Sequence, residues 1–178
     1  MDDWIRTPQS RRLLWAALVL SLVLGVALVV VDRQETDVGG QFGVAMTDEQ
    51  AVEQVVGSAR KVVAAARLQH ATGGYSFVPC ETDNGPRYQA TLYMSFTLPH
   101  SDWVRYLNQV ASAMIADGWT DAPTRAEHFG LKLTSGGVTA VLQRNLDDPT
   151  NATMRLYGEC RNTSDHRNDD PAWTEVSL

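Results

Sequence analysis

The sequence has few cysteines, few lysines and no complete catalytic motif. Only Cys80 and Cys160 occur in 178 residues, without a C-x-x-C spacing. No glycine-rich phosphate loop, nucleophile elbow or dinucleotide fingerprint is present, so these nucleotide-binding and hydrolase classes are not indicated. No H-x-x-x-H or H-E-x-x-H pattern occurs, and we predict no metal or cofactor. All four histidines are expected at the surface: His70, His100, His128 and His166.

The charge balance excludes a second class of partner. The formal net charge is −6, with 15 Lys or Arg against 21 Asp or Glu. Without residues 1–12 the chain keeps 12 basic and 19 acidic residues, a net charge of −7. Such a domain repels polyanions, so nucleic acid is not an expected partner.

One long apolar run, residues 13–31, carries no charge. At about 1.5 Å per residue it spans roughly 28 Å as a helix, close to the hydrocarbon thickness of about 30 Å. A signal-peptide core is shorter, about 7–15 residues, and ends at small residues. This run ends in three valines before Asp32, and no cysteine follows closely. We predict an uncleaved signal anchor; the alternative is cleavage around Ala27.

The flanking charges predict how the anchor is oriented. Arg6, Arg11 and Arg12 precede the run, and only Arg33 follows it closely. The positive-inside rule then places the N-terminus in the cytoplasm and the domain outside the plasma membrane. Small residues at helical spacing within the run predict close packing against a partner helix or a second copy, although chance spacing is the alternative. They are Ala17, Ser21 and Gly25.

Both cysteines fall in the part predicted to lie outside. An even pair in an oxidising compartment predicts a Cys80–Cys160 disulfide, which would hold the last strand near the first hairpin. Closing a loop of this length is worth roughly 4–5 kcal/mol in the chain-entropy model. A metal pair or a reactive thiol is the alternative. The alternation of the last strand places Cys160 on its inner face.

The remaining pattern predicts an α+β domain, residues 47–160, between a flexible linker, 32–46, and a polar tail, 161–178, mobile or loosely docked. A capping box at Thr47–Gln50 begins an amphipathic helix that ends before Gly73-Gly74. A second helix begins after the N-cap Ser101 and ends at Gly118. The predicted order is α-β-β-α-β-β-β, an antiparallel sheet with both helices on one face. The strands are 75–80, 88–98, 129–134, 138–145 and 152–160.

Two patterns suggest where function could reside. The sheet face away from the helices carries polar and aromatic side chains that suit a partner or a glycan, although any solvated sheet looks similar. They are Thr91, Tyr93, Ser95, Lys132, Gln143, Arg155, Tyr157 and Glu159. Ser58 and Lys61 match the S-x-x-K pattern of penicillin-interacting enzymes, but the companion motifs are absent, so a solvated helix face is the simpler interpretation.

Three stretches, GYSFVPC, ASAMIADGWT and LYGEC, are similar to secreted and lipoprotein-like envelope proteins of actinobacteria, mycobacteria included. The similarity covers about residues 52–161 and implies an envelope location without an assigned reaction; this chain departs by lacking a lipidated cysteine. We therefore expect a membrane-anchored, non-enzymatic accessory module that binds an envelope protein or a second copy. The alternative is a ligand-binding domain or hydrolase for an envelope lipid or glycan, with a pocket above about 300 Å³ near His100, His128 or Ser58.

Overall fold

The computed structural model describes residues 43–80, 87–122 and 130–178. The chain divides after Gly43, and every element below belongs to the unit Val44–Leu178. The predicted anchor, with its small-residue spacing, and most of the predicted linker lie outside the described residues. Neither helix in the described ranges combines the length and the apolar character that crossing a membrane requires.

The described residues form an α+β fold of two helices and seven strands. The predicted class is confirmed, and two short strands, β3 and β7, were not predicted. The elements are α1 (Asp48–Ala66), β1 (Thr72–Cys80), β2 (Arg87–Thr97), α2 (Trp103–Ala116), β3 (Thr120–Asp121), β4 (Leu131–Ser135), β5 (Val138–Arg144), β6 (Asn151–Tyr157) and β7 (Thr174–Val176).

All seven strands belong to one antiparallel sheet in the order β3-β4-β5-β6-β2-β1-β7. β1 and β2 are consecutive neighbours, as are β4, β5 and β6, as their short connections predicted. The two groups join where β6 pairs with β2, and Leu156 lies opposite Leu92. The C-terminal β7 pairs with β1 at the other edge.

Helix α1 begins at the predicted capping box. The backbone N–H of Gln50 donates to Thr47 Oγ1 at 3.3 Å, and the N–H of Thr47 donates to Gln50 Oε1 at 3.0 Å. The helix ends at Arg67, which adopts the left-handed conformation with φ 51°. Its buried face consists of Ala51, Val55, Val56, Ala59 and Val62.

Helix α2 begins one residue later than predicted. Its N-cap is Asp102 and not Ser101, and Asp102 has φ 58° and makes no side-chain cap bond. The apolar stripe overrides this unfavourable start, because packing of the buried face supplies most of a helix's stability. That stripe contains Leu107, Val110, Ala111 and Met114. Gly118, with φ 96°, follows the C-cap Asp117, where a left-handed glycine is expected.

The core lies between the helices and one sheet face, which we call the inner face. The predicted alternation of β2 is confirmed, since Leu92, Met94 and Phe96 are fully buried. Opposite residues on neighbouring strands share a face, so the inner face continues across the sheet. Its fully buried members on β5 and β6 include Ala140, Leu142, Met154 and Leu156.

The C-terminal segment, predicted as a mobile or loosely docked tail, is instead part of the fold. Val176 and Leu178 pack against the core, and β7 lies close to two glycines of β1. A Cβ on Gly74 would lie 2.9 Å from Thr174 O of β7. One on Gly73 would lie 2.8 Å from Tyr93 O of β2 and 3.0 Å from Leu178 Cδ1, after β7. This close approach explains why both glycines lie inside a strand and not, as predicted, in a break before it.

Candidate functional site

The structure places the five predicted partner residues on the sheet face away from the helices, which we call the outer face. Lys132 pairs with Val141, Val141 with Arg155, and Arg155 with Tyr93, so these residues form one row across four strands. Residues two positions away along a strand share its face. Gln143 and Tyr157 therefore lie in the adjoining rows. Their participation in binding stays a prediction.

An aromatic side chain that the sequence did not suggest extends this row. The ring of Trp173 lies 6.1 Å from the ring of Tyr93, and the guanidinium of Arg155 lies 5.9 Å from the Tyr93 centroid on the other side. Arg155 is exposed, and Trp173 is 45% exposed. A cation and two aromatic rings side by side are typical of binding surfaces. Trp173 was missed because only the pairing of β7 brings it here.

Two positions in the predicted outer face need correction. Glu159 lies beyond the end of β6, and its Oε2 accepts a bond from Gln54 Nε2 at 2.8 Å, so it contacts helix α1. Thr91 does lie on the outer face, opposite Tyr157, but is only 4% exposed. Its buried hydroxyl has no hydrogen-bond partner among the described residues. Neither residue is available to a partner in the way that Tyr93 is.

The structure contains the predicted disulfide. Cys80 ends β1, Cys160 follows β6, and their Cα atoms are 6.1 Å apart. The bond thus joins the end of β1 to the segment that follows β6, beside the first residues of β2. The inner-face position predicted for Cys160 is wrong because β6 ends at Tyr157, and Cys160 Sγ lies 3.7 Å from Oε1 of Gln89, whose side chain is on the outer face.

The side chain of His166 is buried, contrary to the predicted surface position. That side chain is 5% exposed and stacks on Phe77 with ring centroids 3.8 Å apart. The Tyr88 ring packs edge-to-face against it, with centroids 5.0 Å apart. Nδ1 lies 2.7 Å from Asp169 Oδ2 and Nε2 lies 3.1 Å from Asn162 Oδ1. The ring therefore attaches the C-terminal segment to β1 and β2.

A network beneath this ring reaches the first turn of α1. Asn162 is fully buried, and its Nδ2 donates to Asp48 Oδ1 at 2.7 Å. Ser164 Oγ donates to the same oxygen at 2.6 Å. These bonds lower the pKa of Asp48 below its usual 3.8, and the bond from Ser164 has the larger effect. No group of three or more His, Cys, Asp or Glu in the described ranges could hold a metal ion.

The S-x-x-K pair does not form a catalytic arrangement. Ser58 Oγ donates to the backbone oxygen of Gln54 at 2.6 Å, within its own helix, and Lys61 is exposed. His70 and His100 are exposed as predicted, and His128 lies outside the described residues. The structure therefore gives the Ser58 hydroxyl a helical backbone partner and not a base.

A groove of about 580 Å³ opens between α2 and the β4–β5 hairpin, and we call it the α2–β5 groove. Its volume lies above the predicted lower limit of about 300 Å³, but it does not contain the predicted polar residues. Ser58 instead lines a separate pocket of about 380 Å³ beside α1. The lining of the α2–β5 groove is mostly apolar: Trp103, Val104, Leu107, Asn108, Gly130, Leu131, Leu142, Gln143, Arg144 and Leu146. Gly130 has φ 127°, and a Cβ there would lie 2.6 Å from Leu142 O, so only glycine fits at this position.

Residues 47–178 match the protein family described as "Putative lipoprotein LppJ". The proteins of that name from Mycobacterium tuberculosis strains CDC 1551 / Oshkosh and H37Rv, and from Mycobacterium bovis, are each 39% identical to this chain over 165 residues. Each alignment covers 90% of this chain and 87% of the relative. No solved structure matches the chain significantly. The similarity to mycobacterial envelope proteins is thereby confirmed, and the chain belongs to the LppJ lipoprotein family.

Proposed function

We propose that this protein is a non-enzymatic accessory module outside the plasma membrane, where its outer face binds an envelope protein. Membership in a lipoprotein family supports association with the cell envelope. The observation that carries the proposal is the row formed by Lys132, Arg155, Tyr93 and Trp173. Both helices cover the inner face, so this row faces away from the core.

The charges of this row define the chemistry of the partner. Lys132 and Arg155 bring two cations to one face of a chain whose net charge is −6. Glu175, across Gly74 from Tyr93, adds one carboxylate at the β7 end of the row. Tyr93 and Trp173 add flat aromatic area, which loses little conformational entropy on binding. An acidic protein surface with an apolar centre would complement both features.

The two cysteines bear on how the domain is attached. The relatives are named lipoproteins, and a lipid attached to cysteine needs a free thiol. Both cysteines of this sequence, Cys80 and Cys160, bond to each other. We therefore propose that residues 13–31 remain as a single membrane-spanning anchor, with the N-terminus in the cytoplasm. Ala17, Ser21 and Gly25 would pack against a helix of the same partner or of a second copy.

Site-specific photo-crosslinking in the native bacterium tests the proposed surface. A photoreactive phenylalanine analogue replaces Tyr93 on the outer face or, as a control, Ile115, which is 50% exposed on α2. We expect one stoichiometric crosslinked protein from position 93 and none from position 115. Arg155→Glu should remove that product because it replaces one of the two cations of the row with a carboxylate. Equal products from both positions, or no effect of Arg155→Glu, would contradict the proposal.

The crosslinked product also identifies the kind of assembly. A product at twice the mass of the chain would show a second copy and not a different envelope protein. Purification in mild detergent provides an independent check, since an accessory subunit should copurify with its partner in a fixed ratio. A clean monomer in both measurements would overturn the accessory role.

The alternative, a ligand-binding domain for an envelope lipid or glycan, is favoured by one observation, the α2–β5 groove. The volume of about 580 Å³ lies within the range of real ligand sites, roughly 300–1,000 Å³. The two functions use opposite sides of the sheet, since Leu142 lines the groove while Tyr93 and Arg155 belong to the outer face and do not line it. They are therefore separable by mutation.

A further inference from the structure

We propose that the α2–β5 groove binds the alkyl chain of a single-chain anionic amphiphile, with the anionic headgroup at Arg144. This site goes beyond the proposed partner-binding role, because it lies on the helix side of the sheet. The chemistry of the lining, the exposure of the rim and the position of one cation each support it.

The inside of the groove is apolar on both sides. Leu131 and Leu142 lie directly opposite each other on β4 and β5, so both point to the inner face and form the floor. Trp103 and Leu107 of α2 form the wall. Polar ligand groups would lose their hydration here without gaining partners, which disfavours a glycan and favours a hydrocarbon chain.

The rim of the groove exposes apolar side chains to water. Val104 is 53% exposed on the α2 side, and Leu146 is 91% exposed in the turn after β5. They are two of the five exposed large apolar side chains in the described ranges; the others are Val44, Ile115 and Trp173. Two such residues across one concave opening form a patch that would be covered by an apolar ligand.

One cation is fixed at the same opening. The guanidinium of Arg144 lies 5.0 Å from the Trp103 ring centroid, and its Nε and Nη2 each donate to Pro149 O at 3.1 Å. A guanidinium has five N–H donors, so these two bonds hold the group in place and leave three N–H groups for an anionic headgroup. Arginine binds carboxylate and phosphate groups well. The carboxylate of Asp148, in the following turn, accepts bonds from Thr150 and Asn151.

A photoreactive fatty acid tests the proposal on the full chain in phosphatidylcholine nanodiscs. The probe is myristate with a diazirine near the end of its alkyl chain, and peptide mass spectrometry locates the adducts. We expect adducts on residues that line the groove, such as Val104 and Leu131. Unlabelled myristate should compete better than myristyl alcohol, because only myristate carries the anionic headgroup.

Two substitutions on α2 form a matched pair. Val104→Glu places a charge at the rim and should lower the adduct yield about tenfold, whereas Ile115→Glu should leave it within twofold of the parent. Both side chains are about half exposed, so both variants should fold, and thermal melting checks this. Arg144→Gln should remove the preference for myristate over the alcohol, while Arg144→Lys should restore part of it.

Four outcomes would overturn the proposal. Adducts confined to residues 13–31 would show only binding at the apolar run. Equal yields from Val104→Glu and Ile115→Glu would show nonspecific labelling. A dimer that Val104→Glu converts to a monomer, without groove adducts, would assign the groove to a second copy. Adducts that form only in the Phe129→Ala variant would show that the occupant of the groove is a side chain of the protein itself.

Discussion

The imidazole ring of His166 lies parallel to the phenyl ring of Phe77, with centroids 3.8 Å apart and planes 8° from parallel. This contact joins the C-terminal segment to β1, while hydrogen bonds from Asn162 and Ser164 join the same segment to Asp48 of α1. The segment therefore holds two elements from the beginning of the domain together, and it is as much a part of the fold as the central strands.

Replacement of His166 by alanine should destabilise the domain. The change removes the stacking on Phe77 and leaves the buried Asn162 Oδ1 with one hydrogen bond fewer, from the Ser164 N–H alone. We expect a loss of about 2–3 kcal/mol in the free energy of unfolding. Urea unfolding followed by circular dichroism measures it. His100→Ala is the control, because His100 is exposed and should change the stability by less than about 0.5 kcal/mol.

The sequence predicted the parts of this fold that depend on local patterns. Thr47 and Gln50 predict the start of α1 because both capping bonds form within one turn. The alternation from Tyr88 to Leu98 predicts both faces of β2, because side chains in a strand alternate. The pairing of Cys80 with Cys160 follows from their number and the predicted compartment.

The parts that were missed depend on contacts between distant segments. β7 has three residues and no apolar alternation, so nothing local distinguishes it from a polar tail. It pairs with β1 because Gly74, which has no side chain, allows the backbone of Thr174 to approach closely. The position of Trp173 beside Tyr93 follows from this pairing, whereas the burial of the His166 side chain follows from the backbone hydrogen bonds that join Asn162 to Tyr88. The polar sequence around Trp173 and His166 does not predict these positions, because the residues they contact lie in β1 and β2.

The stability of the domain should decrease in acid partly through Asp48. Its pKa lies below 3.8 in the folded protein, so the ionised carboxylate contributes stability above that pH. This contribution is lost as the pH falls through the lower folded-state pKa. Asp48→Asn should therefore flatten the decline in stability measured between about pH 5 and pH 2. Protein melting temperatures recorded across this range measure the effect.

Asp147→Asn is the control for this pH dependence, since Asp147 is an exposed turn residue. Its profile should follow that of the parent. The pKa of Asp165, lowered to about 2 by its hydrogen bonds from Arg167, contributes to the same acid range in every variant. An Asp48→Asn profile as steep as that of the parent would show that the network around Asn162 does not favour the ionised form.

Replacement of Thr91 by valine should stabilise the domain. The Thr91 hydroxyl is buried without a partner among the described residues, and valine has the same shape without a polar group. We expect a gain of about 1 kcal/mol in the free energy of unfolding. Thr91→Ser is the matched control, since it keeps the hydroxyl but removes the methyl group and should be less stable than the parent. A valine variant less stable than the parent would show that this hydroxyl has a hydrogen-bond partner.

Removal of the disulfide should cost a large part of the domain's stability. The bond links residues separated by 80 positions, for which the chain-entropy model gives roughly 4–5 kcal/mol as an upper range. The double variant Cys80→Ala, Cys160→Ala and the reduced parent should therefore unfold at similar, lower urea concentrations. If the double variant unfolds at the same urea concentration as the oxidised parent, the disulfide does not stabilise the fold.

The proposed permanent attachment of this domain to the membrane is tested most directly by the mass and thiol content of the protein isolated from native membranes. We predict a chain that retains residues 13–31, carries no lipid, and has no free thiol before reduction. A mature chain that begins after Val31, a lipid adduct, or two titratable thiols in the unreduced protein would contradict the proposed anchored module.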